Sequence, residues 1–326
     1  MYKQPIVVFI RNLRDFHLKT RFKIYRYFKY SLTNYKWLLM FIFSRFKIVN
    51  SIVVFFSKRP VLKNYNRNYS IFEELNVDDV VASLKRDGLY SGINLPKAFV
   101  EEILEFANYE NCYGNANYQL GFFSSEKEKA EAKYGKPFVC GQYFNTALLC
   151  PAIKKLENDP KLLEIAARYL NVEPIHSENR LWWSYVLEPT LYDQSRFAQV
   201  FHYDLDDYRF LKFFFYLTDV DASNGAHVCV CGSHKKKKLT DCFTLFRKRT
   251  DQDIIDYYDA EKIETLCGKA GFGFVEDPSC FHKGTPPKHI SRLMLQIKFV
   301  MNDYGIQNDV VNPLLLQNVC DNVMTT

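Results

Sequence analysis

Two kinds of hydrophobic spacing divide the chain. From Leu181 onward, short apolar runs rich in Trp, Phe, Tyr and Val are broken by Gly, Asn, Asp and Pro. The runs LWWSYVLE, FAQVFHYD, LKFFFYLTDV, AHVCVCG, GFGFVED and RLMLQIKFV predict about six strands. In RLMLQIKFV the period is two: Arg292, Met294, Gln296 and Lys298 share one face, and Leu293, Leu295, Ile297 and Phe299 the other. A helical insertion is expected near DQDIIDYYDAEKI. Many short strands with turn signals predict a sandwich or jelly roll. Residues 78–172 instead read as mostly helical with one or two strands, and the charged run Lys127 to Lys133 is expected to be a solvated helix face.

The N-terminal stretch has a different character. Residues 1–63 hold 14 Lys or Arg against the single acid Asp15, so the net charge of +6 conceals a basic segment attached to an acidic remainder. Ile6, Phe9, Leu13 and Phe16 recur at helical intervals with Arg11 and Arg14 between them. Arg45 and Lys47 interrupt the apolar runs before about 18 uncharged residues accumulate, which argues against a membrane-spanning helix. A basic, aromatic-rich amphipathic segment suits the surface of an anionic membrane; the alternative is a helical extension packed on the rest of the chain. Nucleic acid is not the expected partner. No secretory signal is expected, because the apolar run Ile6 to Ile10 precedes the positive charges and no small-residue cleavage pattern follows. Residues 60–76 are a Pro- and Asn-containing polar stretch. The expected layout is a basic extension over 1–63, a linker over 64–76, a catalytic domain over 77–305 and a tail over 306–326. Composition is otherwise globular, at 48% hydrophobic and 25% charged, with a high 16% aromatic content. The nine cysteines include no C-x-x-C pair, and Cys229 and Cys231 are expected on one side of a strand as small core residues. This usage points to a reducing cytoplasm, with the chain peripheral at the inner face of a membrane if the basic segment binds there.

Candidate chemistry concentrates in Phe201 to Asp221, FHYDLDDYRFLKFFFYLTDVD. In extended backbone His202 and Asp204 project to the same side and can grip one ion, which supplies two-thirds of a 2-His-1-carboxylate triad for non-haem Fe(II). His282, in FHKG, is the candidate third ligand. Arg292 follows ten positions on and is suited to bidentate capture of a carboxylate. Asp206 and Asp207 compete with Asp204, but only Asp206 shares its face. His17, His176, His227 and His289 are expected to be structural or exposed.

Together, His202, Asp204, His282 and Arg292 resemble the Fe(II)- and 2-oxoglutarate-dependent dioxygenases, and specifically the phytanoyl-CoA dioxygenase family. The resemblance extends over about residues 77 to 300. VASLKRDGLYSGINLPKAFVEEILEFA resembles the family's opening helix, strand and helix; DPKLLEIAARYLNVEPI resembles the helix before the barrel; and YLTDVDASNGAHVCVCGSHK resembles the turn and strand after the first ligands. It implies a double-stranded β-helix, a cupin-type jelly roll, with buttressing helices. It also implies Fe(II) held by His202, Asp204 and His282, 2-oxoglutarate paired with Arg292, and dioxygen as the oxidant. The implied reaction is hydroxylation of an unactivated C–H bond of a small-molecule or lipid- or glycan-linked substrate, releasing succinate and CO2; related halogenases lack the carboxylate retained here as Asp204. Some relatives carry Ser two residues after the distal histidine to hold 2-oxoglutarate. Gly284 stands there in this chain, and Thr285 is the candidate substitute. In relatives the histidine of G-S-H, here His234, bonds to backbone at the barrel rim. Trp182, Trp183, Tyr185 and Gln199 are candidate pocket residues or core, and Lys235 to Lys238 either favour an anionic substrate or form a solvated loop. Two other classes stay open at this point: a non-catalytic binding module, and a cupin-type metal enzyme without 2-oxoglutarate.

Overall fold

A computed structural model describes residues 30, 32, 34–57, 65–188, 190–244, 247–306 and 309–320 of the 326-residue chain. The helical reading of Ile6 to Phe16 and most of the basic stretch lie outside the described residues. Among the described residues thirteen strands are formed. They are β1 Leu89–Ser91, β2 Asn111–Gly114, β3 Gly121–Phe123, β4 Cys140–Tyr143, β5 Ile175–Ser184, β6 Phe201–His202 and β7 Phe210–Tyr216, followed by β8 His227–Val230, β9 Lys248–Arg249, β10 Ile263–Leu266, β11 Gly273–Glu276, β12 His282–Gly284 and β13 Arg292–Val300. The larger sheet runs β1-β11-β7-β13-β5-β4-β2-β3 and the smaller one β10-β8-β12-β6-β9, with every pairing between named strands antiparallel. From β5 on, the chain passes back and forth between the two sheets, which is jelly-roll winding.

Side-chain parity sorts the core into three layers. Leu211, Phe213 and Phe215 of β7, with Leu293, Leu295, Ile297 and Phe299 of β13, face helices on the outside of the larger sheet. Phe214, Tyr216 and Met294 face inward and meet Cys229 and Leu266 of the smaller sheet. Val228, Val230 and Phe281 pack outward against Ile254 and Tyr258. Cys231 packs beside Cys229 against the inner layer, as the alternation in VCVC requires. All nine cysteines are free thiols. The insertion after β9 forms a short helix, Asp251–Ile255, under a Thr250–Asp253 capping box.

The buttressing helices have conventional ends. Val77–Asp87 starts at Asn76, whose side chain accepts from the Asp78 and Asp79 amides, and stops at Gly88 with φ +75°, a left-handed C-cap that glycine adopts without strain. Pro160–Leu170 is capped by Asp159 and turns Leu162, Ile165 and Ala166 onto the larger sheet. Lys127–Tyr134 is the expected charged helix. The 78–172 region also contributes β1 to β4, more strands than its spacing suggested, because short edge strands carry too few residues to show a period.

The polar stretch before Val77 is tied down over its described part. Ser70 Oγ donates to Asp159 at 2.9 Å, and Lys161 Nζ donates to the carbonyls of Phe72 and Glu73. Two N-terminal helices also dock. Tyr35–Phe43 buries Trp37 and Met40, and Asn34 Nδ2 donates to Tyr304 O at 3.1 Å. Lys47–Phe56 follows, with Arg45 donating to Thr244 O and Phe46 set edge-on against Phe243. Among the described residues no helix is long and apolar enough to cross a membrane.

Truncating Phe213, fully buried and edge-on to Phe299, to Ala should cost about 3–5 kcal/mol in urea denaturation. Truncating Leu239, 79% exposed, should stay within about 0.5 kcal/mol. Equal costs would contradict the layering.

Candidate active site

His202 ends β6 and His282 opens β12, and the two residues are register partners across the smaller sheet. Each ring is oriented in the same way: Nδ1 lies 3.0 Å from the carbonyl two residues earlier, Val200 O for His202 and Cys280 O for His282. A carbonyl only accepts, so Nδ1 carries the proton and each Nε2 offers its lone pair inward. Asp204 lies just past β6, where its amide donates to Pro278 O. Its Oδ1 is 3.8 Å from His202 Nε2 and its Oδ2 3.8 Å from His282 Nε2. One ligand atom from each of the three falls within 4.8 Å of the others.

Protonation suits a cation. Burial, with His282 nearby, pushes His202 down to about 3, so its imidazole is neutral. Burial alone would raise Asp204, but Lys212 and the two imidazoles hold it well below the usual carboxylate range. Lys212 Nζ sits 2.6 Å from Asp204 Oδ2. Burial disfavours its ammonium, yet Asp204 and Asp206 outweigh that and raise its pKa. Beside the triad, His227 Nε2 meets Glu276 Oε2 at 2.9 Å, and the His227 ring stacks 5.5 Å from that of His282. Burial alone would raise Glu276 also; His227 and His282 bring it down to about 2.

Across the cavity, Arg292 opens β13. Its terminal nitrogens donate to Gly225 O and, at 2.9 Å, to Ser184 Oγ, while Nε is buried without a partner. Gly225, at φ +85°, brings its carbonyl to the guanidinium in a backbone conformation that side chains resist. Among the described residues no carboxylate pairs with Arg292, and burial lowers its pKa. A buried cation with an orphaned donor calls for an anionic ligand. Gly284 leaves the room: a Cβ there would stand 3.7 Å from both terminal nitrogens. The donor set fits a divalent transition metal, and the Arg292 cradle fits a carboxylate.

These groups line a cavity of about 570 Å³. Of the sequence candidates, His202, Asp204, His282, Arg292 and Trp182 converge on it. Thr285 does not: its hydroxyl donates to Ala226 O at 3.1 Å, away from Arg292. Trp183 and Tyr185 have the opposite parity to Trp182 and pack into the helical layer. Gln199 is not part of the lining, and its Oε1 is buried without a partner. None of Lys235 to Lys238 reaches the cavity; Lys237 instead donates to Ser279 O. His234 contacts Cys280 Sγ at 3.4 Å rather than a backbone group. His289 is exposed, and His17 lies outside the described residues. His227, read as structural or exposed, is buried in the cavity wall, and His176 lines it farther out. Asp207 bonds the backbone of Met301 and Asn302 instead of facing the triad.

Lys212 and Glu276 escaped the sequence reading. The available signal was a lone charge at an inward position of an otherwise apolar strand, Lys212 in FLKFFFY, where only a charged partner makes burial tolerable.

The family model of phytanoyl-CoA dioxygenase (PhyH) matches residues 176–288, which include all three triad residues. No curated protein matches the chain. Similar solved structures include the epimerase SnoN in complex with Fe3+, alpha ketoglutarate and nogalamycin RO, at 16% identity and TM-score 0.46, covering 71% of this chain and 87% of that one. HygX from Streptomyces hygroscopicus with nickel and 2-oxoglutarate bound is 13% identical at TM-score 0.45, covering 68% and 85%.

Lys212→Met should lower Co(II) affinity roughly ten- to a hundredfold by calorimetry. Without the ammonium, the depressed Asp204 pKa rises, so protons compete with the metal up to a higher pH and the binding midpoint moves upward. Unchanged affinity with an unchanged midpoint would show that Lys212 does not govern Asp204.

Proposed function

We propose that His202, Asp204 and His282 hold Fe(II), that Arg292 holds 2-oxoglutarate, and that the chain hydroxylates a C–H bond of a small molecule, a reading supported by the match of residues 176–288 to the phytanoyl-CoA dioxygenase family model. Fe(II), 2-oxoglutarate and dioxygen are the family's cofactors. The observation that carries the proposal is the convergence of two imidazoles and one carboxylate on one wall of the cavity.

When bound, the metal and co-substrate supply dioxygen activation coupled to decarboxylation to succinate and CO2. The chain's own groups do the rest. The Nδ1 bonds to Val200 O and Cys280 O fix both imidazoles and leave each Nε2 lone pair to hold the metal that would bind there. Lys212 donates to Asp204 Oδ2, so Oδ1 would be the carboxylate oxygen available to hold the metal. Arg292, steadied by Ser184, takes the distal carboxylate of 2-oxoglutarate, and Gly284 gives it room. Phe214, Met294 and Trp182 line the cavity and limit water there. A metal enzyme without 2-oxoglutarate would leave Arg292 a buried cation with no counter-ion, which disfavours that alternative.

The basic N-terminus adds a second proposal, contact with an anionic membrane surface. Helix Lys47–Phe56, within the 1–63 segment whose sequence has a surplus of 13 positive charges, exposes Ile48, Ile52, Phe55 and Phe56, each more than half accessible.

Fe(II)-reconstituted protein should release succinate from 2-oxoglutarate, and Asp204→Ala should reduce this to background; turnover retained by that variant would refute the ligand assignment. Replacing both Ile52 and Phe55 by Glu should abolish co-sedimentation with phosphatidylserine vesicles, and undiminished sedimentation would exclude this face as the contact.

A further inference from the structure

We infer that Glu276 is a positioning residue for the metal: its buried carboxylate, steadied by His227, acts through His282 to favour the more highly charged state of the ion in the triad and so lowers that ion's reduction potential; this rests on the dioxygenase reading above only for the ion being iron. Glu276 ends β11 and is 0% exposed. Its Oε2 accepts from His227 Nε2 at 2.9 Å. Its Oε1 has no hydrogen-bond partner and stands 3.8 Å from His282 Nδ1. That separation is too long for a hydrogen bond, and the Nδ1 proton is already donated to Cys280 O, so Oε1 acts on the imidazole through space. The His227 ring stacks on that of His282 with planes at 21° and packs against Phe214 and Phe274, which keeps water from the carboxylate.

A carboxylate stripped of water and left with an orphaned oxygen is costly. A partner for His227 does not require one, since a glutamine oxygen would accept the same hydrogen bond. The charge therefore has its use in what it faces. His227 brings no charge of its own, because burial holds its pKa down. Lys212, the register partner of Glu276 across β7 and β11, turns to Asp204 Oδ2 at 2.6 Å and offsets that ligand's charge. Asp204, Lys212 and Glu276 together thus leave one net negative charge beside the ion, and without Glu276 they leave none.

Fe(III) carries one more positive charge than Fe(II), so a buried anion behind a ligand favours it, and little solvent is present to screen the effect. The two imidazoles become unequal. Among the described residues His202 meets Asp204 alone, whereas His282 meets Asp204 on one side and Glu276 on the other. An ion of lower potential gives an electron to dioxygen more readily, so Glu276 serves the oxygen-dependent reaction without touching substrate or co-substrate. Glu276→Gln isolates the charge: the amide oxygen still accepts from His227 Nε2 and the side chain keeps its shape.

The test is an anaerobic redox titration of the iron-loaded full chain, joined to paramagnetic NMR of the Co(II)-loaded chain, in which the two ligand imidazoles each give an Nδ1–H resonance. Glu276→Gln should raise the midpoint potential by about 59 mV or more, roughly a tenfold shift in the Fe(III):Fe(II) ratio of a one-electron couple. The same variant should displace the Nδ1–H resonance of His282 more than that of His202. Glu276→Asp, which keeps the charge, should stay close to the wild-type potential. If Glu276→Gln does not fold, the double change His227→Leu with Glu276→Met, which removes both partners together, should give the same rise. An unchanged potential in the folded, metal-loaded Glu276→Gln chain, or an equal rise in Glu276→Asp, would overturn the inference and leave the triad standing. Failure of the folded wild type to bind either Fe(II) or Co(II) would overturn the triad and this role of Glu276 together.

Discussion

Strands β7 and β13 are buried on both faces, and this constraint governs the molecule. Because successive residues alternate, one set must satisfy a dry helical layer and the other a chemical cavity. Leu211, Phe213, Leu295 and Ile297 meet the first demand. Lys212, Arg292, Gln296 and Lys298 meet the second; Lys212, Gln296 and Lys298 each pair with a carboxylate from a neighbouring element, whereas Arg292 bonds Ser184 Oγ and Gly225 O but meets no carboxylate among the described residues. A one-residue slip would bury the charges against the helices and put the aliphatics against the triad, so the register that builds the core also assembles the site.

The triad depends on that frame indirectly. Lys212 reaches Asp204 only because β7 points it inward, and Asp204 stays ionised under burial because Lys212 is there. Glu276 stands in the same relation to His227 and His282. The inner cavity is therefore a set of mutually compensating charges, with Arg292 as the uncompensated member. An isolated buried guanidinium is costly, and a protein that retains one has a use for its positive charge.

Much of this was legible in the sequence. The period-two pattern of RLMLQIKFV assigned both faces of β13, and the spacing of His202 and Asp204 with a later His282 marked the triad, because i, i+2 spacing is local geometry. Residues brought in by pairing between distant strands were less visible: nothing near His227 announces Glu276, and only the β8 and β11 placements bring them to 2.9 Å. Thr285 shows the limit of an argument from adjacency, since one step along the strand turned its hydroxyl to Ala226 O. The docking of Trp37 and Phe41 over the cavity was hidden for another reason: basic, aromatic helices read alike whether they pack on a barrel or lie on a membrane.

The central claim is that Arg292 and the triad form one site across a shared cavity. Anaerobic titration of the chain with Fe(II) and then 2-oxoglutarate, watched through the visible metal-to-ligand charge-transfer band, tests it most directly. The account predicts a band in the wild type that saturates with co-substrate and, in Arg292→Ala, needs at least tenfold more 2-oxoglutarate while Fe(II) affinity is unchanged. A folded wild type without the band, or an Arg292→Ala variant titrating like the wild type, would contradict it.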